Sequence, residues 1–361
     1  MNGVDGKHSS IVIDGLVDIV ADGDMTDGKG ANEAISAVAS NISVGGGTIK
    51  AINGANYAIR AYGEMVSANT GTVNVNVSQD SAGNVIAAGS NKTVIEGNLA
   101  TEGGMGNNGL INIGLGTADS SWTGNYTTNG GNVNLYMKDG ATWTGYNTGT
   151  NFALDMKNGA KWVVTGDSTI SSLNSGSNAL RSLAAVKSTT SATNGGIVDM
   201  TNEKGGNVTI DNYSGSATFI YKHDAVTPTN IIGGNITVKH AGEDSSITLR
   251  TDRSGIDLSN STLVDSVLNA LAGKLDYSNY ALADGLDSRS NAIGERNLSG
   301  YVQIAEGLTA ASTGRSTGTI SYSDTDGKAT LKPGSVISSG SDVIYGSKET
   351  AMMRGARSAM A

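Results

Sequence analysis

Leu135-Tyr136-Met137-Lys138-Asp139-Gly140-Ala141-Thr142-Trp143-Thr144-Gly145 is echoed 19 residues later by Leu154-Asp155-Met156-Lys157-Asn158-Gly159-Ala160-Lys161-Trp162. Upstream, Trp122-Thr123-Gly124 precedes Trp143-Thr144-Gly145 by 21 residues. A period near 20 marks a solenoid, in which each coil contributes a few short strands and buries its inner residues against the next coil. Glycine and asparagine tolerate positive φ and let each coil turn. A β-sandwich with coincidental likeness around its tryptophans is the competing reading. Strands this short and this rich in glycine argue against it.

Short β runs recur on both sides of the repeat, each ended by Gly, Asn or Asp. They include Ser10-Ile11-Val12-Ile13, Thr48-Ile49-Lys50-Ala51-Ile52, Ile111-Asn112-Ile113-Gly114-Leu115, Asn207-Val208-Thr209-Ile210 and Ser246-Ile247-Thr248-Leu249. Val73 to Val77 alternates apolar residues with Asn74 and Asn76, which predicts a half-buried strand with both asparagines facing outward. Runs this short need neighbours above and below.

Composition narrows the class. The 361 residues include 51 glycines, 2 prolines and no cysteine, with 5% aromatic and 16% charged residues. The glycine has no collagen period, and without cysteine there is neither a disulfide scaffold nor a Cys-based zinc site. No apolar run approaches the roughly 18 residues of a membrane helix. The net charge of −9 disfavours phosphate backbones, so nucleic acid is not an expected partner. Absence of cysteine suits an oxidising, extracytoplasmic setting. Met1-Asn2-Gly3-Val4-Asp5-Gly6 has no basic or apolar leader pattern, so an exported form would be one whose signal has been removed from a longer chain.

Two segments break the strand pattern. Over 262–275, Leu263, Val264, Val267, Leu268, Leu271 and Leu275 share one helical face, with Thr262-x-x-Asp265 at the start and Gly273 near the end. This predicts a capped amphipathic helix covering part of the solenoid. Residues 346–361 end in Ala351-Met352-Met353-Arg354-Gly355-Ala356-Arg357-Ser358-Ala359-Met360-Ala361, which predicts a slim helix suited to a narrow space.

Three stretches together resemble the passenger of a Gram-negative autotransporter, the type V secreted proteins of pertactin and AIDA type. Gly159-Ala160-Lys161-Trp162-Val163-Val164-Thr165-Gly166-Asp167-Ser168-Thr169-Ile170 looks like their recurring W-x-V/L-T-G-x-S-x-V/I rung. Asn207-Val208-Thr209-Ile210-Asp211-Asn212-Tyr213-Ser214-Gly215-Ser216-Ala217-Thr218-Phe219 is similar to the pattern that opens their autochaperone region. The terminal Ala/Met/Arg segment resembles the linker that enters the translocator barrel. The resemblance implies an all-β fold, a right-handed parallel β-helix with a short helix and a C-terminal linker helix. It also implies a stem over 1–206, an autochaperone-like cap over 207–345 with the helix at 262–275 inserted, and a linker over 346–361 leading to the chain's own outer-membrane β-barrel. Its implied location is the bacterial cell surface, anchored at the outer membrane or released. No paired-Asn cleavage site stands in the terminal helix, and 276–300 matches no family motif.

Candidate chemistry is sparse. Gly166-Asp167-Ser168 echoes the surroundings of a serine nucleophile, but Thr169 follows it and His8, His223 and His240 stand in no triad context. A turn between strands is the expected reading. Asp22-Gly23-Asp24-Met25-Thr26-Asp27-Gly28 fails calcium-loop spacing at Thr26. Gly28-Lys29-Gly30 lacks a phosphate-loop context. His223 and His240, each beside a lysine, are expected to be exposed rather than metal ligands. Met352, Met353 and Met360 are expected to pack rather than bind copper. Asp139 and Asn158 occupy equivalent repeat positions and do not form a catalytic dyad. The sequence therefore yields no catalytic, cofactor-binding or metal residue.

Three functions follow as expectations. The first is a non-enzymatic rod for adhesion or self-association, meeting identical passengers, host receptors or glycans through many weak contacts. The second is a stem and autochaperone alone, with binding in an N-terminal part beyond this chain. The third is a β-helix enzyme acting on polysaccharides, which would need clustered carboxylates and aromatic sugar platforms.

Overall fold

The computed structural model describes residues 4–7, 9–24, 32–63, 70–104, 107–176, 195–203, 205–241 and 245–251, parts of 263–276, and the strands at 281–282, 300–304, 315–322 and 329–337. They fall into two units, Met1–Leu173 and Asn174–Ala361. Among the described residues, no helix is long and apolar enough to cross a membrane.

In the first unit the chain visits three sheet faces in turn and then begins again. The first face stacks Val4–Lys7, Glu33–Val38, Tyr57–Tyr62 and Leu99–Gly104. The second stacks Ser10–Ile13, Asn41–Val44, Thr72–Val75, Leu110–Leu115, Asn132–Met137 and Phe152–Met156. The third stacks Val17–Asp22, Gly47–Ile52, Thr93–Glu96, Ser121–Thr123, Thr142–Gly145 and Lys161–Val164. Every pairing within these faces is parallel, so each circuit is one coil of a parallel β-helix, as the repeat predicts. Past Leu99 the first face thins to the bridges Leu99↔Tyr126 and Tyr126↔Asn147.

The period of about 20 belongs only to the later coils. Stacked residues are 31 apart from Ser43 to Asn74, 38 from Asn74 to Asn112, 22 from Asn112 to Asn134 and 19 from Asp139 to Asn158. The 19-residue coil approaches the minimum of short strands and tight corners. Earlier coils carry longer strands on the first face, and the coil of Asn74 also carries an antiparallel hairpin, Val77–Gln79 with Val85–Ala88.

Corner chemistry explains the Asp-Gly and Asn-Gly steps of the repeat. Asp139 and Gly140 have φ of 56° and 80°, and Asn158 and Gly159 have 51° and 72°. The N–H of Ala141 donates to Lys138 O, and that of Ala160 to Lys157 O, each at 3.1 Å. Two successive positive φ values closed by such a bond define a type I′ turn. The corners also stack, Asn158 Nδ2 donating to Asp139 Oδ1 at 2.8 Å.

Inside, Asn132–Met137 and Phe152–Met156 alternate strictly between buried and half-buried residues. Trp122, Trp143 and Trp162 are fully buried. Their rings stack at 4.9 and 4.8 Å, with planes 3° and 6° apart. That distance is the spacing of neighbouring strands, about 4.7–4.9 Å, so in-register pairing places the indoles face to face. Each indole N–H donates to a glycine carbonyl one coil earlier: Trp122 to Gly97 and Trp143 to Gly124 at 3.0 Å, and Trp162 to Gly145 at 3.1 Å. A Cβ on Gly145 would lie 1.9 Å from the Gly124 oxygen that receives the Trp143 indole. This is the physical content of the Trp-Thr-Gly repeat. Phe152 closes on the stack from the second face, 5.1 Å from Trp143.

In the second unit, Val208–His223 is a single 16-residue strand serving two faces. Its first part pairs in parallel with Ile236–Ala241, and Ser216–Tyr221 pairs with Ser246–Thr251. The bend falls at Gly215, where φ is +83° and a Cβ would meet Gly176 O at 2.1 Å. Tyr213 turns back across the bend, its hydroxyl accepting the Ala217 N–H at 2.7 Å. Gly300–Ile304 extends this stack against Ser245–Leu249, whereas Arg315–Tyr322 and Ala329–Ile337 form an antiparallel pair.

Of the helix expected over 262–275, Leu263, Ser266, Val267, Ala270 and Leu271 are helical, with Val267 and Leu271 fully buried. Leu275 is not on that helix. The chain turns at Gly273-Lys274, and Leu275 pairs in parallel with Ile236. Thr262, Val264, Asp265, Leu268 and the expected linker helix at 346–361 lie outside the described residues.

If the indole stack organises the core, Trp143→Ala lowers unfolding stability by about 3–5 kcal/mol. Trp143→Phe, which keeps a ring but loses the N–H to Gly124, costs about 1–3 kcal/mol. Urea titration followed by far-ultraviolet circular dichroism measures both.

Candidate functional site

Each residue singled out for chemistry has a defined place or lies outside the described residues. The Ser168 hydroxyl is buried, donates to Gly166 O at 3.0 Å and accepts the Asn147 N–H at 3.2 Å, joining two coils at a turn. Asp22 Oδ1 accepts the Asp24 N–H at 3.0 Å and the Asn53 amide at 2.9 Å, a turn fastened to the next coil. The same two bonds, the backbone one foremost, hold its carboxyl below the usual range. Met25 to Gly30, with Gly28-Lys29-Gly30, and Met352, Met353 and Met360 lie outside the described residues, as does His8.

His240 is exposed, but His223, expected to be exposed as well, is only 5% exposed. The reason is register. His223 follows Tyr221 by two on the inward side of its strand, and its Nδ1 lies 3.0 Å from Asp224 O. His240 pairs with Asn212 on another face, so the two histidines are not brought together. Among the described residues no group of three or more His, Asp or Glu side chains is placed to hold a metal ion.

A second correction concerns Asn74 and Asn76, which are 6% and 5% exposed rather than turned to solvent. Asn76 ends its strand with φ +46°. Its amide donates to Asn91 O and Gly114 O at 2.6 and 3.1 Å, and its Oδ1 accepts the Asn91 N–H at 3.2 Å. Asn74 does sit on the outer side of the second face, in register with Ser43 and Asn112, and Asn112 in turn pairs with Asn134. The side chains form a ladder running one way. Asn134 Nδ2 donates to Asn112 Oδ1 and Asn112 Nδ2 to Asn74 Oδ1, each at 2.8 Å. Asn74 Nδ2 reaches Ser43 Oγ at 3.3 Å and Asn41 Oδ1 at 3.4 Å.

Where the ladder begins there is a trough of about 490 Å³. Asn41, Ser43 and Asn74 line its floor, and Ser78 and Gln79 of the hairpin line one wall. Tyr136 steadies the hairpin, donating its hydroxyl to Val85 O at 3.4 Å. At the tip, Asp80 accepts the Asn84 side-chain amide at 3.1 Å and the Asn84 and Ala82 N–H groups at 2.9 Å, which holds its carboxyl below the usual range. Asn91 is fixed at the trough by donating Nδ2 to Gly45 O at 2.6 Å. Asp14 is the single ionisable residue in the lining, which contains no aromatic ring. Pockets of this volume fall within the ordinary range for small ligands, roughly 300–1,000 Å³.

Sequence reasoning missed this site. The signal was an apolar–Asn–apolar triplet recurring as Val73-Asn74-Val75, Ile111-Asn112-Ile113 and Val133-Asn134-Leu135. The unequal spacings of 38 and 22 residues hid it from a search for a fixed period. Arg60 was also missed. It joins three coils through Glu33 at 3.2 Å and Glu102 at 2.9 Å. Compared with protein-family models, curated proteins and solved structures, the chain matches none of them.

Asn112 is 3% exposed in the middle of the ladder, so Asn112→Asp replaces a donor with an acceptor that faces Asn74 Oδ1. Burial raises the new carboxyl's pKa, so its penalty is absent below the unfolded value near 3.9 and grows as pH rises through the folded one. The variant should lose about 1–3 kcal/mol at pH 7 and regain most of it near pH 3.5. Urea midpoints at the two pH values check this.

Proposed function

We propose that this chain is an extracellular passenger of the autotransporter kind, displayed at the bacterial cell surface as a non-enzymatic module for adhesion or self-association. The observation that carries the reading is the division of labour between inside and outside. Trp122, Trp143, Trp162, Phe152 and Phe219 are all fully buried, so the tryptophans and phenylalanines that a sugar-cleaving groove would use as platforms are held in the cores. On the outer side of the second face asparagines form a ladder over successive coils, paired to one another and ending at Ser43 and the exposed Asn41, beside the exposed Ser78 and Gln79. Repeated weak polar contacts suit multivalent attachment, in which two bodies meet many times at once.

The mode of export agrees with the same physics. Each coil of the first unit buries its core against the coils next to it, so folding spreads from one formed coil to the next. A chain with no cysteine passes a narrow pore extended, without premature cross-links. Its partners in this reading are its own outer-membrane barrel, identical passengers, and host receptors or glycans.

Fused to an outer-membrane β-barrel and displayed on a non-adherent bacterium, the chain should cause cell–cell aggregation or attachment to host cells. Soluble purified chain added in excess should reduce it. Full surface display with neither aggregation nor attachment would leave the stem-and-autochaperone reading, and turnover of a polysaccharide panel would replace both with an enzyme.

A further inference from the structure

We propose that the trough between the second face and the Val77–Ala88 hairpin is a binding site for a short neutral saccharide. The proposal rests on the adhesive reading for its role, but its chemistry comes from the trough itself.

The ladder sets what the floor offers. Its amides all donate toward the first coils, so the chain of donors ends with Ser43 Oγ and Asn41 Oδ1 acting as acceptors. The Ser43 O–H and the Asn41 Nδ2 hydrogens are left over, and neither donates to another described residue. Accepting from a polarised chain strengthens a hydroxyl as a donor. The lining also supplies residues that can accept, Asp14 with its carboxylate and Gln79 with its amide oxygen. Vicinal sugar hydroxyls each donate and accept, and a surface of amides and hydroxyls with one carboxylate matches that demand.

Charge and shape exclude the main competitors. No basic side chain lines the trough, and the protein carries a net charge of −9, so sulfated or phosphorylated ligands are repelled. An extended peptide would need a long free edge to add to, whereas the hairpin strand on the wall spans only Val77–Gln79. Val12, 62% exposed at the margin, and Val77 provide a small apolar surface for the C–H face of a sugar ring. Without an aromatic platform each contact is weak, in the millimolar range. On a cell bearing many copies, avidity raises that to useful attachment.

Saturation-transfer NMR and calorimetry on the purified chain test this, using a panel of neutral mono- to trisaccharides ending in glucose, galactose, mannose or N-acetylglucosamine. Sulfated oligosaccharides and an uncharged extended peptide serve as comparison ligands. Saturable binding of a neutral sugar is expected, little changed between 50 and 500 mM salt. Asn41→Ala and Gln79→Ala should each weaken it about five- to tenfold, the loss of one hydrogen bond. Both residues are exposed, and unchanged melting curves keep the comparison to the trough. No saturation transfer from any neutral sugar, binding confined to the sulfated or peptide ligands, or undiminished affinity in both variants would overturn the proposal. Sugar binding by purified chain whose displayed form does not attach cells would keep the trough and remove the adhesive reading.

Discussion

The stacking of Trp122, Trp143 and Trp162 is the constraint around which the shorter coils of the first unit are built. A parallel strand pair sets neighbours about 4.8 Å apart, within the range of ring-centroid separations of about 4.5–7 Å at which aromatic rings stack, and the indole centroids stand at 4.9 and 4.8 Å. Register and ring contact therefore enforce each other. A slip of one residue would turn a tryptophan outward and place a threonine or a lysine in the core. The bond from each indole to the glycine carbonyl one coil earlier adds direction, because it satisfies a buried N–H only when coils follow in sequence. A large aromatic core and a demand for glycine at Gly124 and Gly145 are thus one feature.

This explains why the fold was legible in the middle of the sequence and less so elsewhere. The Trp-Thr-Gly spacing and the Asp-Gly and Asn-Gly corners repeat because three-dimensional neighbours there are also close relatives in sequence. In the earlier coils the same stacking joins residues 31 or 38 apart, and insertions such as the hairpin break any fixed period. Strand alternation was visible at Val73–Val77, but alternation alone does not reveal that Asn76 leaves the strand at φ +46° to tie Asn91 to Gly114. The burial of His223 was hidden for a related reason. Adjacent Lys222 is exposed, and on a strand one neighbour's exposure implies the other's burial.

Outside the core, the side chains that repeat are polar and matched to themselves. Asn134, Asn112 and Asn74 make a one-way chain of amides, Asn158 caps Asp139 at a corner, and Arg60 ties Glu33 to Glu102. Ladders of this kind satisfy most of their hydrogen bonds internally and leave a remainder where they stop. At Asn134 the next residue in register is Ala153, which offers no partner side chain. At the other end the remainder lies at Ser43 and Asn41, and there the chain has placed its hairpin.

The position of that hairpin follows from the corner at Asn76. A strand that simply continued past Val75 would have closed the coil as its neighbours do. Instead Asn76 turns the backbone, its amide fills the corner, and Val77–Gln79 rises off the sheet while Val85–Ala88 returns to Gly89, whose N–H closes on Asn76 O at 2.6 Å. The excursion therefore leaves and rejoins the coil at one point and costs the stack none of its register: Thr72–Val75 still pairs with both neighbours. A β-helix tolerates such an addition because only the inward residues of each coil are constrained by the next. The stack supplies rigidity, its polar ladder supplies unspent donors, and a single insertion converts an exposed sheet face into a concave one.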